Sequence, residues 1–98
     1  MSAYFIANIR MKNETAYRPY LQDVDATLAM HGGEYLAVED GPRVMEGEWP
    51  YTRIALVRFP DEESLNRWYF SAEYQAILHY RLDNADCDAL AVRGKDGA

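Results

Sequence analysis

Arg81 is the side chain whose position in the sequence most clearly suggests binding chemistry. It follows Tyr74 by seven residues and shares an apolar helical stripe with Leu78, so the stripe predicts that it faces the core. A guanidinium there needs a carboxylate, a carbonyl group or a ligand anion, because an unpaired buried charge is costly. Its planar fork suits a carboxylate, so we place Arg81 and Tyr74 in a candidate ligand site. The alternatives for Arg81 are an ion pair with Glu46 or Glu73, or a head group in water at the helix end.

Glu46 and Trp49 form a second candidate group. Glu46 precedes Gly47, which permits close approach of the backbone, and an acid beside an indole can serve as a general acid or base. The alternative is a structural acid that anchors a turn or pairs with an arginine. Trp49 could cover a pocket, but we favour a dimer anchor, because buried tryptophans dominate interface energetics.

Asn8 and Arg58 interrupt two strands that are otherwise mostly apolar. If both side chains point into a barrel between two subunits, they make a small polar site in an apolar cavity, which is the usual composition of a ligand pocket. Arg58 could instead lie at a strand end and reach solvent. The sequence leaves open whether the two strand faces that carry these residues point to the same side.

Several kinds of chemistry have no signal in the sequence. Cys87 is the single cysteine, so no intrachain disulfide can form, and we expect it to be a small residue at a strand start. His31 and His79 have no neighbouring histidine or cysteine at metal-binding spacing. The sequence also lacks a glycine-rich phosphate loop and a serine nucleophile elbow. We therefore predict no metal and no cofactor.

Length and charge limit the class of protein. The 98 residues fit one domain, which we expect to be ordered over about residues 3–94. The net charge of −6 argues against nucleic acid and anionic membranes as partners, because both require a basic surface. No apolar run approaches the ~20 residues of a membrane span, and the N-terminus lacks the pattern of a signal peptide. The expectation is a soluble cytoplasmic protein.

Hydrophobic periodicity predicts four strands and three helices. The strands are expected at 3–11, 34–38, 53–59 and 89–93, and the helices from Asn13 to His31, after Asp61, and from Ala72 to Leu82 with Ser71 as its cap. Residues 43–47 are expected to add a short strand, 84–88 a polar connection and 94–98 a loose tail. Pro19 lies either in the first turn of its helix or at a kink.

This order of elements is typical of the split βαβ, or ferredoxin-like, α+β fold, with helices on one face of a four-stranded antiparallel sheet. Both sheet faces are apolar: Phe5, Ala7 and Ile9 occupy one side of the first strand, Tyr4 and Ile6 the other. A sheet wet on one side should carry polar residues there, and the helices can cover only one face. We therefore expect a homodimer that forms through the open sheet face.

The sequence resembles a small bacterial family known as the domain of unknown function 1330, over about Tyr4 to Gly94. The residues that carry the resemblance, in order, are Glu46-Gly47-Glu48-Trp49, Phe59-Pro60, Trp68-Tyr69, Ser71-x-Glu73-Tyr74 and Arg81. The resemblance implies a ferredoxin-like monomer that pairs face to face into a dimeric α/β barrel. Its superfamily includes monooxygenases, haem-degrading enzymes and isomerases, but the family itself brings no established reaction. The position of Arg58 often carries an acid in the family, so the charge is reversed here.

Three functions follow as hypotheses. The first is a cofactor-free dimeric barrel that binds a small organic molecule, for which a carboxylate is one candidate group, with or without enzymatic activity. The second is a purely structural or regulatory homodimer. The third is a monooxygenase-like enzyme, which rests on superfamily analogy alone.

Overall fold

The chain forms one four-stranded antiparallel sheet with three helices, which confirms the predicted ferredoxin-like fold. The computed structural model describes residues 1–97. Its elements are β1 (Ala3–Met11), α1 (Glu14–Ala29), β2 (Glu34–Asp40), β3 (Arg53–Phe59), α2 (Glu62–Tyr69), α3 (Ala72–Leu82), β4 (Ala85–Arg93) and a final 3₁₀ turn (Lys95–Gly97). The strand order is β2-β3-β1-β4, with all neighbours antiparallel. In the part of the chain that the model covers, no helix combines the length and the apolar character needed to cross a membrane.

Three polar side chains begin the three helices, as the sequence predicted. Asn13, Asp61 and Ser71 each accept a hydrogen bond from the backbone N–H three residues later, which satisfies one of the donors left free at a helix start. Pro19 lies inside α1 rather than in its first turn. Gly32 follows the end of α1 with a φ of 76°, a left-handed conformation that glycine adopts without a steric cost.

Trp68 joins the helical layer to the sheet. Its ring is buried and packs against Tyr74, with the two centroids 4.0 Å apart, and against Phe5 at 5.1 Å. Its indole N–H donates to the Thr27 hydroxyl over 3.0 Å. The contacts of this one side chain thus connect α2 to α1, α3 and β1, and they set the height at which α3 sits above the sheet.

The side of the sheet away from the helices is apolar at its centre, and we call it the open face. The register pairs Tyr4 with Arg58, Ile6 with Leu56, and Asn8 with Ile54. Directly opposed residues of paired strands point to the same side, so Asn8 and Arg58 lie on the same side of the sheet. The same register adds Leu90 and Val92 of β4 to the open face, together with Asp88 opposite Asn8 and Asp86 opposite Arg10. The open face thus has an apolar centre that includes Ile6, Leu56 and Leu90, and polar residues at one end of β4.

Three predicted segments differ from the structure. β4 begins at Ala85 rather than Ala89, because Asp86 and Asp88 are the outward side chains of a strand whose alternate residues face the helices. Residues 43–47 form no strand; they belong to a loop between β2 and β3. β2 extends to Asp40, two residues further than predicted.

The predicted loose tail also differs, within the residues that the model describes. The Gly94 N–H donates to the Ser2 carbonyl over 2.7 Å, and the Ser2 hydroxyl donates to Asp96 Oδ2 over 2.8 Å. The C-terminal turn is thus tied to the start of β1, and Ala98 lies outside the described residues.

Candidate functional site

Arg81 lies buried in the helix-facing core. Only 2 % of the residue is exposed, and its one hydrogen bond runs from Nη2 to the Tyr74 hydroxyl over a long 3.4 Å. Nε and Nη1 are buried and have no hydrogen-bond partner within residues 1–97. The guanidinium carbon lies 6.0 Å from the centroid of Phe5 and 5.7 Å from that of Tyr20. Aromatic rings offset part of the cost of burying this cation, but they leave two donors unused.

Two tyrosine hydroxyls lie beside the guanidinium. Those of Tyr20 and Tyr74 are 2.8 Å apart and share one hydrogen bond. Burial raises the pKa of both hydroxyls above the usual value of 10.0, because the phenolate would lose its hydration. Both groups are therefore neutral at pH 7, and because one proton is used in the hydrogen bond between them, the pair has one proton left to donate to an anion.

A narrow cavity adjoins Arg81 between α1 and the sheet. Its apolar walls include Phe5, Ala7, Val24, Leu28, Val57 and Trp68, and its volume is about 30 Å³. Such a volume holds one or two water molecules, so an organic ligand must widen it. Leu21 and Tyr35 mark its mouth and are both exposed. The mouth lies along β2, an edge strand whose seven residues are all exposed and which is paired on one side only, with β3, so this wall is the one least held by packing.

Arg53 provides a second cation at the edge of the same cavity. It lies on β3 on the side that faces the helices, opposite Ile9. Its Nε and Nη2 donate to the two carboxylate oxygens of Asp40 over 2.6 and 3.2 Å, and this pairing lowers the pKa of the Asp40 carboxyl. The Asp40 side chain is 71 % exposed, whereas that of Arg53 is 16 % exposed. The counter-ion of Arg53 thus stands on the solvent side of the pair.

The predicted site residues fall into two groups on opposite sides of the sheet. Arg81 and Tyr74 meet on the helix side, and Arg81 forms no ion pair within the described residues, so the alternative of a pair with Glu46 or Glu73 is not the one observed. Arg81 is also not in water at a helix end.

The other four predicted residues lie on or near the open face. Trp49 Nε1 donates to Asn8 Oδ1 over 3.3 Å, and Glu46 lines a surface cleft beside Trp49 and Ile54. Arg58 lies on β3, four residues beyond Ile54. Its guanidinium donates to the Glu34 carboxylate over 3.4 Å and to the Ser2 hydroxyl over 3.0 Å. The structure does not combine these four residues into one pocket with Arg81.

Sequence reasoning missed three polar residues of the helix-side cavity. Tyr17 and Tyr20 belong to the apolar stripe of α1, a pattern that indicates core packing and gives no sign of a polar site. Arg53 lies on the same side of β3 as Ala55 and Val57, because alternate residues of a strand share a face. This alternation could have indicated from the sequence that Arg53 faces the helices. Cys87 is half-buried nearby; burial raises its pKa, and Arg81 acts in the opposite sense.

Comparison with protein families gives a match over residues 2–95 to the family described as Domain of unknown function (DUF1330). The chain belongs to this family. A comparison with curated proteins finds no match. The DUF1330 chain thus has a family and a fold, and its function has to be argued from its own residues.

Solved structures share the fold at low identity. A protein of unknown function from Rhodopseudomonas palustris, RPA0582, is 12% identical, with a TM-score of 0.74 over 95% of this chain and 82% of its own. A dimeric ferredoxin-like protein of unknown function from Jannaschia sp. CCS1 is 13% identical, with a TM-score of 0.69 over 96% of this chain and 100% of its own. SnoaB, a cofactor-independent oxygenase from Streptomyces nogalater, is 7% identical, with a TM-score of 0.69 over 96% and 93%.

Proposed function

We propose that this protein binds a small organic carboxylate in the cavity between α1 and the sheet, with Arg81 as the anion-binding group. The observation that carries the proposal is the buried guanidinium with two unused donors. An unpaired buried charge costs several kcal/mol, and a ligand carboxylate removes that cost by accepting from the fork.

The surroundings of Arg81 favour a carboxylate on an apolar body. The walls of the cavity are aliphatic and aromatic, and no acidic residue lines it within the described chain. Tyr20 lines the cavity, and its neutral hydroxyl can donate to the same anion while it accepts the hydrogen bond from Tyr74. The pocket therefore combines an apolar lining with a few convergent polar groups, as small-molecule sites usually do.

The second part of the proposal is a homodimer that forms through the open face. The apolar centre of that face supports it, and so does the likeness to a dimeric ferredoxin-like protein. Trp49 and Asn8 would then lie at the rim of the subunit contact. A purely structural homodimer is the second candidate, and the small volume of the cavity favours it. An oxygenase activity stays a prediction from fold resemblance.

A thermal-shift experiment tests the carboxylate proposal. Benzoate and hexanoate are the probes, and the variants are Arg81→Gln and the surface control Arg67→Gln, whose native side chain pairs with Glu63 on exposed α2. We expect millimolar acid to raise the Tm of the native protein and of the control, because a ligand that binds only the folded state stabilises it. The Arg81 variant should remain folded by circular dichroism and show no shift.

Two results would contradict the proposal. One is an Arg81→Gln variant that is folded and responds to acid as the native protein does. The other is a native protein whose Tm neither acid moves. If Arg81→Gln unfolds, Arg81→Met, which keeps an apolar chain of similar length, takes its place: a folded Arg81→Met without the acid response supports the proposal, and one that responds to acid as the native protein does contradicts it.

A further inference from the structure

We infer that the ligand of this cavity is a dicarboxylate, with one acidic group held by Arg81 and the other by Arg53. This inference rests on the proposed carboxylate function and specifies its substrate class. Both guanidiniums line the same cavity, which has no acidic lining residue among those the structure describes. Arg81 has no counter-ion among these residues, and the counter-ion of Arg53 is Asp40 on the solvent side, so a ligand that displaces Asp40 meets two cations in the cavity.

The two cations sit at opposite depths. Arg81 is almost wholly buried among aromatic rings, whereas Arg53 lies at the mouth with its side chain partly exposed. The wall between them is apolar and includes Ala7 and Ala55. A ligand that reaches from Arg81 to Arg53 needs an acidic group at each end and an apolar spacer in the middle.

Tyr17 shows that both charges act on the same volume. Its side chain lines the cavity and is buried. Burial raises the pKa of its hydroxyl, and Arg81 and Arg53 both act to lower it. Tyr17 thus lies in the same cavity as both guanidiniums and near enough to each for their charges to act on its hydroxyl.

Asp40 is a counter-ion that a ligand can replace. Its carboxylate is 71 % exposed, so water can solvate it again when it leaves Arg53, and the carboxylate of the ligand then restores the two hydrogen bonds of the mostly buried Arg53 fork. It also belongs to the exposed edge strand β2, the side that must move for the mouth to widen. The second carboxylate of the ligand takes the place of Asp40 on the Arg53 fork.

Matched acids of equal chain length separate the two charges. Hexanoate and adipate are titrated by calorimetry into the native protein, Arg53→Gln, Asp40→Asn and the control Arg67→Gln. We expect adipate to bind the native protein and the control at least tenfold more tightly than hexanoate, despite its lower hydrophobicity. Arg53→Gln should lose that preference and keep the hexanoate affinity, and Asp40→Asn should raise the adipate affinity because it frees Arg53.

The outcomes distinguish this inference from the function on which it rests. If hexanoate binds through Arg81 but adipate binds no better, the dicarboxylate inference is wrong and the carboxylate function stands. If Arg53→Gln leaves the preference intact, or Asp40→Asn does not raise adipate affinity, the inference is also wrong. If neither acid binds, both proposals fail. Should Arg53→Gln unfold, the same question is decided by Asp40→Asn alone.

Discussion

Aromatic rings, and no acid, hold Arg81 in the core. Its guanidinium lies close to Phe5 and Tyr20 and has only a long contact to Tyr74. A cation in such a setting is a cost to the fold in the absence of an anion. Arg81 is therefore better explained by binding than by stability, which gives a prediction for the ligand-free protein.

Arg81→Met removes the buried charge and keeps most of the side-chain volume. We expect the free energy of unfolding in urea, without ligand, to stay unchanged or to rise, because the substitution removes the desolvation cost of the buried cation; replacement of whole buried ion pairs by apolar residues has raised stability by about 1–4 kcal/mol. The matched surface change Arg67→Met should move it by no more than about 0.5 kcal/mol. A loss of about 3 kcal/mol or more in Arg81→Met would instead show that the fold depends on the guanidinium.

The sequence was sufficient to predict part of this site. Tyr74 and Arg81 share a stripe of α3, so their meeting follows from helical spacing. The missing counter-ion could not be predicted, because it depends on which side of the sheet the loop with Glu46 takes. That loop folds toward the open face, where Trp49 bonds Asn8. Long-range placement of a loop has no local signal in the residues themselves.

At the scale of elements, capping residues were the most reliable signals. Asp61 and Ser71 mark the starts of α2 and α3 because their side chains bond the first free N–H groups. The start of β4 was predicted at Ala89 rather than Ala85, because Asp86 and Asp88 give this segment the polarity of a loop. In the structure Asp86 and Asp88 point away from the helices, whereas Ala85 and Cys87, which alternate with them, point toward the helices. Polar and apolar residues do alternate in this segment, but the apolar residues are small, so the hydrophobic pattern of a strand is weak.

The cap at Asp61 should make the stability of α2 depend on pH. Its carboxylate accepts the Ser64 N–H over 2.7 Å, and this bond lowers the pKa of the carboxyl below its usual 3.8. A group with a lowered pKa in the folded state stabilises it above the usual pKa, and loses that contribution as the pH falls through the lower, folded value. We therefore expect Asp61→Asn to have a lower Tm than the native protein at pH 7.

The difference in Tm should shrink as the pH falls from 3.8, the usual pKa of this carboxyl, through the lower pKa of the folded state, because both chains carry a neutral cap once the pH is below that lower value. Thermal unfolding followed by circular dichroism from pH 7 to pH 2.5 measures it. Asp23→Asn, an exposed change within α1 that caps no helix, is the control. A gap between Asp61→Asn and the native protein that stays constant over this range would contradict the charged-cap account.

At the scale of the whole molecule, the two faces of the sheet have different structural roles. The helix side holds the fold together and contains the cavity of Arg81. The open face keeps apolar residues at its centre, such as Ile6 and Leu56, which the chain itself does not cover with a helix. This division was predictable from the sequence, because both parities of β1 and β3 are apolar and the helices are too few for two layers. The identity of what covers the open face needs an experiment.

Leu90→Glu tests whether a second copy covers the open face. Leu90 is 56 % exposed in the single chain and pairs with Ile6 at the apolar centre, so a charge there is harmless to a monomer and costly in a subunit contact. We expect light scattering at micromolar concentration to give about twice the 11.3 kDa chain mass for the native protein, and one chain mass for Leu90→Glu. The control Leu82→Glu, exposed at the end of α3, should remain dimeric.

The same variant separates assembly from binding. The cavity of Arg81 opens between α1 and β2, on the side of the sheet away from Leu90, so a folded monomer should still show the acid-induced rise in Tm. Loss of both dimer and acid response in folded Leu90→Glu would mean that the partner completes the pocket. A native protein that scatters as a single chain would remove the dimer from the proposal and leave the apolar open face without its explanation, while the carboxylate site would still stand on Arg81.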